Sequence, residues 1–357
     1  MNQKKNWLSL GLMLALMALT GFFLLRNQPV SSLMDVLRRI DPAYVLMGLG
    51  LMVVFVGCEA MCTRLILRRL GHSVPYRRCM GYSFTGFYFS SITPSSTGGQ
   101  PAQVYYMARD GVPAAHGTLD MLLITVCYQT ATLIFGVGSF LVYPRILTVL
   151  GGGWRLLLVY GIVSTVILTA AVLTVMFAPR AAGRIAGGCL SLLARVHIVK
   201  DRAGMQEKLD AQMAEYRRGA DCLKSYPRLV PALLGLSLTQ LLALYLVPFV
   251  VYRAFGLSGS SAVQMVAVQA LLTVAVSTLP LPGAVGPSEG GFVKVFTLFF
   301  GAGLVTPAML VSRGISFYAF LLLSAGVTVA VHLRSGKRAK ARALGLPAAR
   351  RAAAPLG

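Results

Sequence analysis

Two stretches of this chain set helix-breaking residues and polar side chains inside otherwise apolar sequence. The first, Thr93 to Pro113, reads TPSSTGGQPAQVYYMARDGVP. Pro94 and Pro101 interrupt a helix, and Gly98 and Gly99 permit a tight turn with bared backbone amides. Ser95, Ser96 and Thr97 offer hydroxyls, and Gln100 and Gln103 add neutral hydrogen-bonding groups. Exposed amides followed by a helix N-terminus suit an anion. The plain alternative is a surface loop between two short helices.

The second stretch, Ser277 to Phe296, reads STLPLPGAVGPSEGGFVKVF. Pro280, Pro282 and Pro287 forbid a continuous helix, and Gly283, Gly286, Gly290 and Gly291 allow close packing. Glu289 is the only carboxylate after Asp221. An ionisable side chain at membrane depth costs about 2.5 kcal/mol or more and is a functional candidate for that reason. Lys294 follows five residues later, and Arg313 is placed to pair with Glu289. The alternative is that Glu289 is purely a structural partner of one of these cations. Glu59 is a weaker candidate, Arg64 reads as a snorkelling charge, and Asp120 reads as a helix-start charge.

The elements that must position these residues follow from composition. The chain has 357 residues, 56% hydrophobic and 12% charged, with mean hydropathy +0.71. A soluble domain is about 25% charged, so a bilayer is the natural solvent here. Runs at roughly 7–25, 44–66, 118–142, 154–178, 229–253 and 305–331 are long enough to cross. The first is read as a retained span rather than a signal peptide. The two Gly/Pro stretches are expected to be re-entrant hairpins. The expected class is an all-α integral membrane protein of about six transmembrane helices plus two such hairpins.

Net charge is +22, from 33 basic and 11 acidic residues. Its distribution speaks for topology rather than for nucleic acid. With the N-terminus inside and both hairpins leaving on the side they entered, 25 basic residues fall inside and six outside. This obeys the positive-inside rule and puts both termini in the cytoplasm. Residues 179–228 read as amphipathic helices on that surface. The basic tail, 336–357, reads as disordered. Residues 1–335 form one polytopic domain in this reading. A span, span, hairpin, span order recurs with an offset near 186, which would place Pro94 on Pro280 and Gln103 on Glu289. Repeat A covers about 7–142 and repeat B about 154–331, and three crossings per half makes the repeat inverted. Two broken helices at corresponding positions point to a substrate site near the midplane.

Cofactor chemistry is not indicated. Six cysteines and four histidines form no metal-ligand spacing. No phosphate-binding lysine loop, nucleophile elbow, zinc-protease helix or dinucleotide fingerprint occurs. The expectation is no cofactor, no metal and no catalytic residue. The run Gly151-Gly152-Gly153 reads as a loop.

The segment Gly98-Gly99-Gln100-Pro101-Ala102-Gln103 with Arg109 and Gly111, and the stretch Pro282-Gly283-x-x-Gly286-x-x-Glu289-Gly290, together resemble two signatures of the lysylphosphatidylglycerol synthase/flippase transmembrane family. The resemblance covers about residues 5–335. It implies a multi-pass protein of the bacterial cytoplasmic membrane. It also implies flipping of aminoacylated, lysyl-type phosphatidylglycerol, with resistance to cationic antimicrobial peptides as the consequence. Partners would be anionic or aminoacylated phospholipids, with room for a separate aminoacyltransferase subunit and a homo-oligomer. Fuller members carry a cytosolic domain that transfers the amino acid from aminoacyl-tRNA, for which this sequence has no counterpart. The alternative reading is a phosphatidylglycerol lysyltransferase or its membrane subunit. Many relatives have an acidic residue where this chain has Gln100. In the transport reading, Ser95, Thr97, Gly98, Gly99, Gln100, Gln103 and Arg109 bind substrate from one side. Pro282, Gly283, Gly286, Glu289, Lys294 and Arg313 bind it from the other.

Overall fold

A computed structural model describes residues 41–142, 152–177, 211, 214 and 216–343. The expected first span at 7–25, most of the segment at 179–228 and most of the tail lie outside the described residues. Those described are helical or in short connections.

The long helices are α1 (Pro42–Arg69), α4 (Ala114–Val142), α5 (Gly152–Phe177) and α6 (Leu229–Ala254). At 1.5 Å per residue each runs about 39 Å or more, enough for a hydrocarbon core of about 30 Å. Each is apolar enough to span. α1 begins where Asp41 accepts the Ala43 N–H at 2.9 Å and Pro42 occupies the first turn. It ends in Arg68 and Arg69, which suit the negative pole of the helix dipole. α5 starts at Gly152, so the expected glycine loop is shorter than the sequence implied; the apolar run after it carries the helix back to the second glycine.

Each Gly/Pro stretch forms a hairpin. The first consists of α2 (Tyr76–Ile92), a 3-10 turn at Pro94–Ser96 and α3 (Gly99–Asp110). The second consists of α7 (Ala262–Val276), a 3-10 turn at Pro282–Ala284 and the start of α8 (Pro287–Arg313). α3 and α7 run only about 18 and 22 Å, too short to cross. Left-handed Gly111 (φ 94°) turns the first hairpin into α4. Gly301 (φ 72°, ψ 165°) kinks α8 at the corresponding place in the second. The span expected at 305–331 is therefore not a separate rod. It is the far part of α8, a π-helical turn at Gly314–Tyr318 and α9 (Ala319–Ala343), continuous with the hairpin limb.

The repeat is visible in the tips at a corrected offset. Ser95 and Ser96 have φ of 50° and 55°, and Gly283 and Ala284 have φ of 59° and 50°. These pairs lie 188 residues apart, as do Pro94 and Pro282. The register near 186 is thus off by two. Pro94 matches Pro282, not Pro280, and Glu289 falls opposite Pro101, not Gln103. The packing is reciprocal. α1 packs along α6, α4 packs on α7 and α9 packs on α2, so each half's last span covers the other half's hairpin. The two 3-10 turns touch each other.

Candidate functional site

The hairpin tips carry consecutive left-handed residues, three of the four not glycine. Each of those three costs on the order of 1–2 kcal/mol, so surrounding contacts must hold them. At the first tip Thr93 is the post. Its hydroxyl donates to the Phe89 carbonyl at 2.6 Å and accepts the Gly98 N–H at 2.9 Å. Thr97 closes the turn through the Pro94 carbonyl at 3.0 Å. Pro94, Ser95, Ser96, Thr97 and Gln100 are exposed. Gln100 donates to the Thr125 hydroxyl of α4 at 2.6 Å.

Gly98 and Gly99 have no room for a side chain. A Cβ on Gly99 would lie 2.1 Å from the Ser90 hydroxyl and 2.7 Å from the Gly86 carbonyl. The second contact is backbone, so α2 and α3 would have to part. Gly99→Ala is expected to lower thermal stability in detergent by about 1–3 kcal/mol. A melting temperature equal to wild type would refute this close approach.

At the second tip Glu289 is a clasp. It is 1% exposed. Its Oε2 accepts the Gly286 N–H at 2.7 Å, capping α8. Its Oε1 accepts from Arg313 Nε at 2.7 Å and from the Tyr318 hydroxyl at 3.2 Å. Arg313 also donates to the Gly283 carbonyl at 3.1 Å and lies 4.4 Å over the Phe317 ring. The π-helical turn directly after Arg313 delivers Phe317 and Tyr318 to this point, a known use of such irregularities. Phe317 in turn fills the space where a Gly283 Cβ would sit, 2.3 Å from the ring. A headgroup would meet Glu289 only by opening this clasp.

The other predicted residues disperse. Pro282 is buried and Gly286 is left-handed (φ 96°) at the start of α8. Lys294 is exposed on α8 and forms no ion pair among the described residues. Arg109 sits at the far end of α3, about 15 Å along the helix from the tip, beside Tyr105 and His332. Gln103 is 4% exposed and turns behind the tip, donating to Glu59 Oε1 at 2.8 Å.

That last bond leads to a cluster the sequence showed only in part. Gln240, in the middle of α6, donates to Glu59 Oε2 at 3.4 Å. Asp120 is 0% exposed and lies well inside α4, which starts at Ala114 behind Pro113, so it is not a helix-start charge. A lone glutamine in an apolar span was the available signal for Gln240; the partnership itself depends on helix rotation. Tyr318 could not be foreseen, because it needs the π-helical turn.

Residues 6–324 match the sequence model of the family described as Lysylphosphatidylglycerol synthase TM region. No curated protein matches the chain.

Proposed function

The chain belongs to the lysylphosphatidylglycerol synthase TM-region family, and from that premise we propose that it translocates a phospholipid of that chemistry, lysyl-phosphatidylglycerol, across the bacterial cytoplasmic membrane. The observation that supports this most is the meeting of two broken, polar hairpin tips inside an all-helical membrane domain. Irregular backbone at membrane depth is tolerated where it is buried in protein or lines a wet path. Paired broken helices in two repeats are how transporters build a substrate site.

In this reading the headgroup moves past the tips while the acyl chains stay in the bilayer. The exposed hydroxyls of Ser95, Ser96 and Thr97 and the amide of Gln100 meet its phosphate and glycerol. The Glu289–Arg313 clasp is the element whose opening and closing parts the tips. The anionic–cationic pair suits a headgroup that carries both signs, since the lysyl ammonium groups and the phosphate each find a counter-charge once it opens. Fewer negative charges on the outer leaflet would follow, with protection against cationic peptides.

The test is the full chain in liposomes carrying fluorescently labelled lysyl-phosphatidylglycerol or phosphatidylglycerol in the inner leaflet, read by quenching from outside. The expected result is faster arrival of the lysyl lipid than in protein-free liposomes. Equal rates would end the proposal. The family's description also carries the word synthase. Aminoacylated phosphatidylglycerol in cells that express this chain alone and otherwise lack the lipid would replace transport with aminoacyl transfer.

A further inference from the structure

The cluster behind the first hairpin has more acceptors than donors. Glu59 is partly buried, and each of its carboxylate oxygens accepts from a buried glutamine amide, Gln103 on α3 and Gln240 on α6. Glu59 has no cationic partner among the described residues. Asp120 on α4 is fully buried, and neither of its oxygens has a hydrogen-bond partner. Thr63, one turn after Glu59 on α1, lies beside Asp120, so the two acids flank the contact between α1 and α4.

A second observation points to a missing positive group. Both glutamines are aimed into the cluster by their bonds to Glu59, and both leave a carbonyl oxygen unpartnered while 4% and 1% exposed. Buried polar groups are ordinarily satisfied, and two carboxylates cannot both stay charged side by side in a low-dielectric interior without a cation. The one imidazole close by in sequence, buried His116 one turn before Asp120 on α4, is engaged with His72 at 2.8 Å, and the other titratable groups around the acids carry no positive charge. They are Cys58 and Cys62 on α1, Cys79 on α2, and Cys127 and Tyr128 on α4. The basic residues nearest this end, Arg64 and Arg78, are each off the cluster: Arg64 is exposed, and neither forms an ion pair among the described residues.

We propose that Glu59 and Asp120 form a proton-binding centre that couples proton movement to the first hairpin. The centre deepens the transport reading by naming its driving force, and it rests on that reading. The link is Gln103. It lies on α3, directly behind the tip, and it is packed against Gly86 so closely that a Cβ there would come within 2.1 Å of its Nε2. When Glu59 is charged it holds the Gln103 and Gln240 amides as an acceptor. When Glu59 takes up a proton, that oxygen becomes a donor and the Gln103 carbonyl can receive it, so the side chain must turn within a slot that leaves it no slack. The proton comes from and returns to water, and no redox step or other co-reactant is involved.

Two measurements on the full chain test this. Infrared difference spectra of the protein in nanodiscs, taken across a pH titration, should show a carboxylic-acid carbonyl band that is lost in Glu59→Gln or Asp120→Asn. Absence of any such band, or its persistence in both variants, overturns the proposal whether or not lipid moves. The second measurement uses the liposome assay with a pH gradient and an internal pH dye. With the membrane potential clamped at zero, one proton per lipid makes the transbilayer ratio of lysyl-phosphatidylglycerol shift about tenfold per pH unit, with dye-reported proton flux. Each variant's ratio with and without the gradient should fall to one. Lipid movement indifferent to pH, or driven by a sodium gradient at equal pH, overturns the proposal while leaving translocation standing. Should no lipid move in any condition, translocation fails, and the infrared arm alone decides the proton site. Circular dichroism and gel filtration identify a variant that has merely unfolded, and Asp120→Asn and Glu59→Gln serve as each other's check.

Discussion

Arg313→Ala will be among the most damaging single substitutions in this chain, costing about 3–5 kcal/mol, the range for removing one partner of a buried ion pair. The figure comes from what is left behind. Glu289 is 1% exposed, so without the guanidinium its charge stays in a low-dielectric site with only the Tyr318 hydroxyl and the Gly286 N–H. The Gly283 carbonyl loses its donor at the same time. Arg313→Lys should recover little, because one ammonium cannot reach both acceptors in the geometry of a planar fork. Glu289→Gln should cost less than Arg313→Ala, since the amide oxygen can still accept from Arg313. Unfolding by denaturing detergent, with Arg313→Ala, Glu289→Gln and the double variant as a cycle, measures the coupling. A loss under 1 kcal/mol for Arg313→Ala would show the clasp to be marginal.

Gly161→Ala should be the most harmful alanine substitution at a helical glycine. α5 packs on α7 there so closely that a Cβ would lie 2.0 Å from the Val274 carbonyl oxygen, 2.8 Å from its carbon and 3.1 Å from the Ala275 Cα. All three are backbone atoms, so no rotamer change relieves the clash and the helices must separate. The expected cost is about 3 kcal/mol, the upper end of overpacking losses. Gly81→Ala is the control. Its nearest contact, 2.9 Å, is a methyl of Val331, a side chain that can give way. Functional loss should follow stability for Gly161, because α7 carries the second tip and the Ser164 hydroxyl holds Thr278 at 2.9 Å. If the two alanine variants melt together, the close approach of α5 and α7 is not real.

Much of the architecture was legible because the bilayer makes strict demands. The four runs at 44–66, 118–142, 154–178 and 229–253 had to be helices. Pro94, Pro280 and Pro282 do interrupt the two stretches between them, whereas Pro101 and Pro287 sit in the first turns of α3 and α8 and break nothing. The register between the halves was misread by two. Two prolines compete in Leu279–Pro282, and the choice is made by the left-handed pair that follows, which in the first half falls on two serines. The last span merged with its hairpin limb because Gly301 alone bends the helix, and nothing in the sequence separates it from the other glycines nearby. The Glu289–Arg313 pair was foreseen from charge alone. The Glu59, Gln103, Gln240 and Asp120 cluster was not, since it depends on how four helices are rotated, and apolar periodicity gives little guidance where lipid is as apolar as the protein interior.

The reciprocal covering of hairpins bears on how the protein is made. Repeat A leaves the ribosome with its re-entrant segment lacking the helix that will shield it, since α9 is translated more than two hundred residues after α2. During that interval the serine turn lacks the second tip it packs against, and Glu59 lacks Gln240, the partner that α6 supplies. Insertion therefore cannot proceed as two finished halves docking side by side. The nascent first half must wait, sheltered by the insertion machinery or loosely assembled, until the final crossing arrives to close both seats at once. A chain truncated before residue 319 should be cleared by quality control rather than persist as a stable fragment.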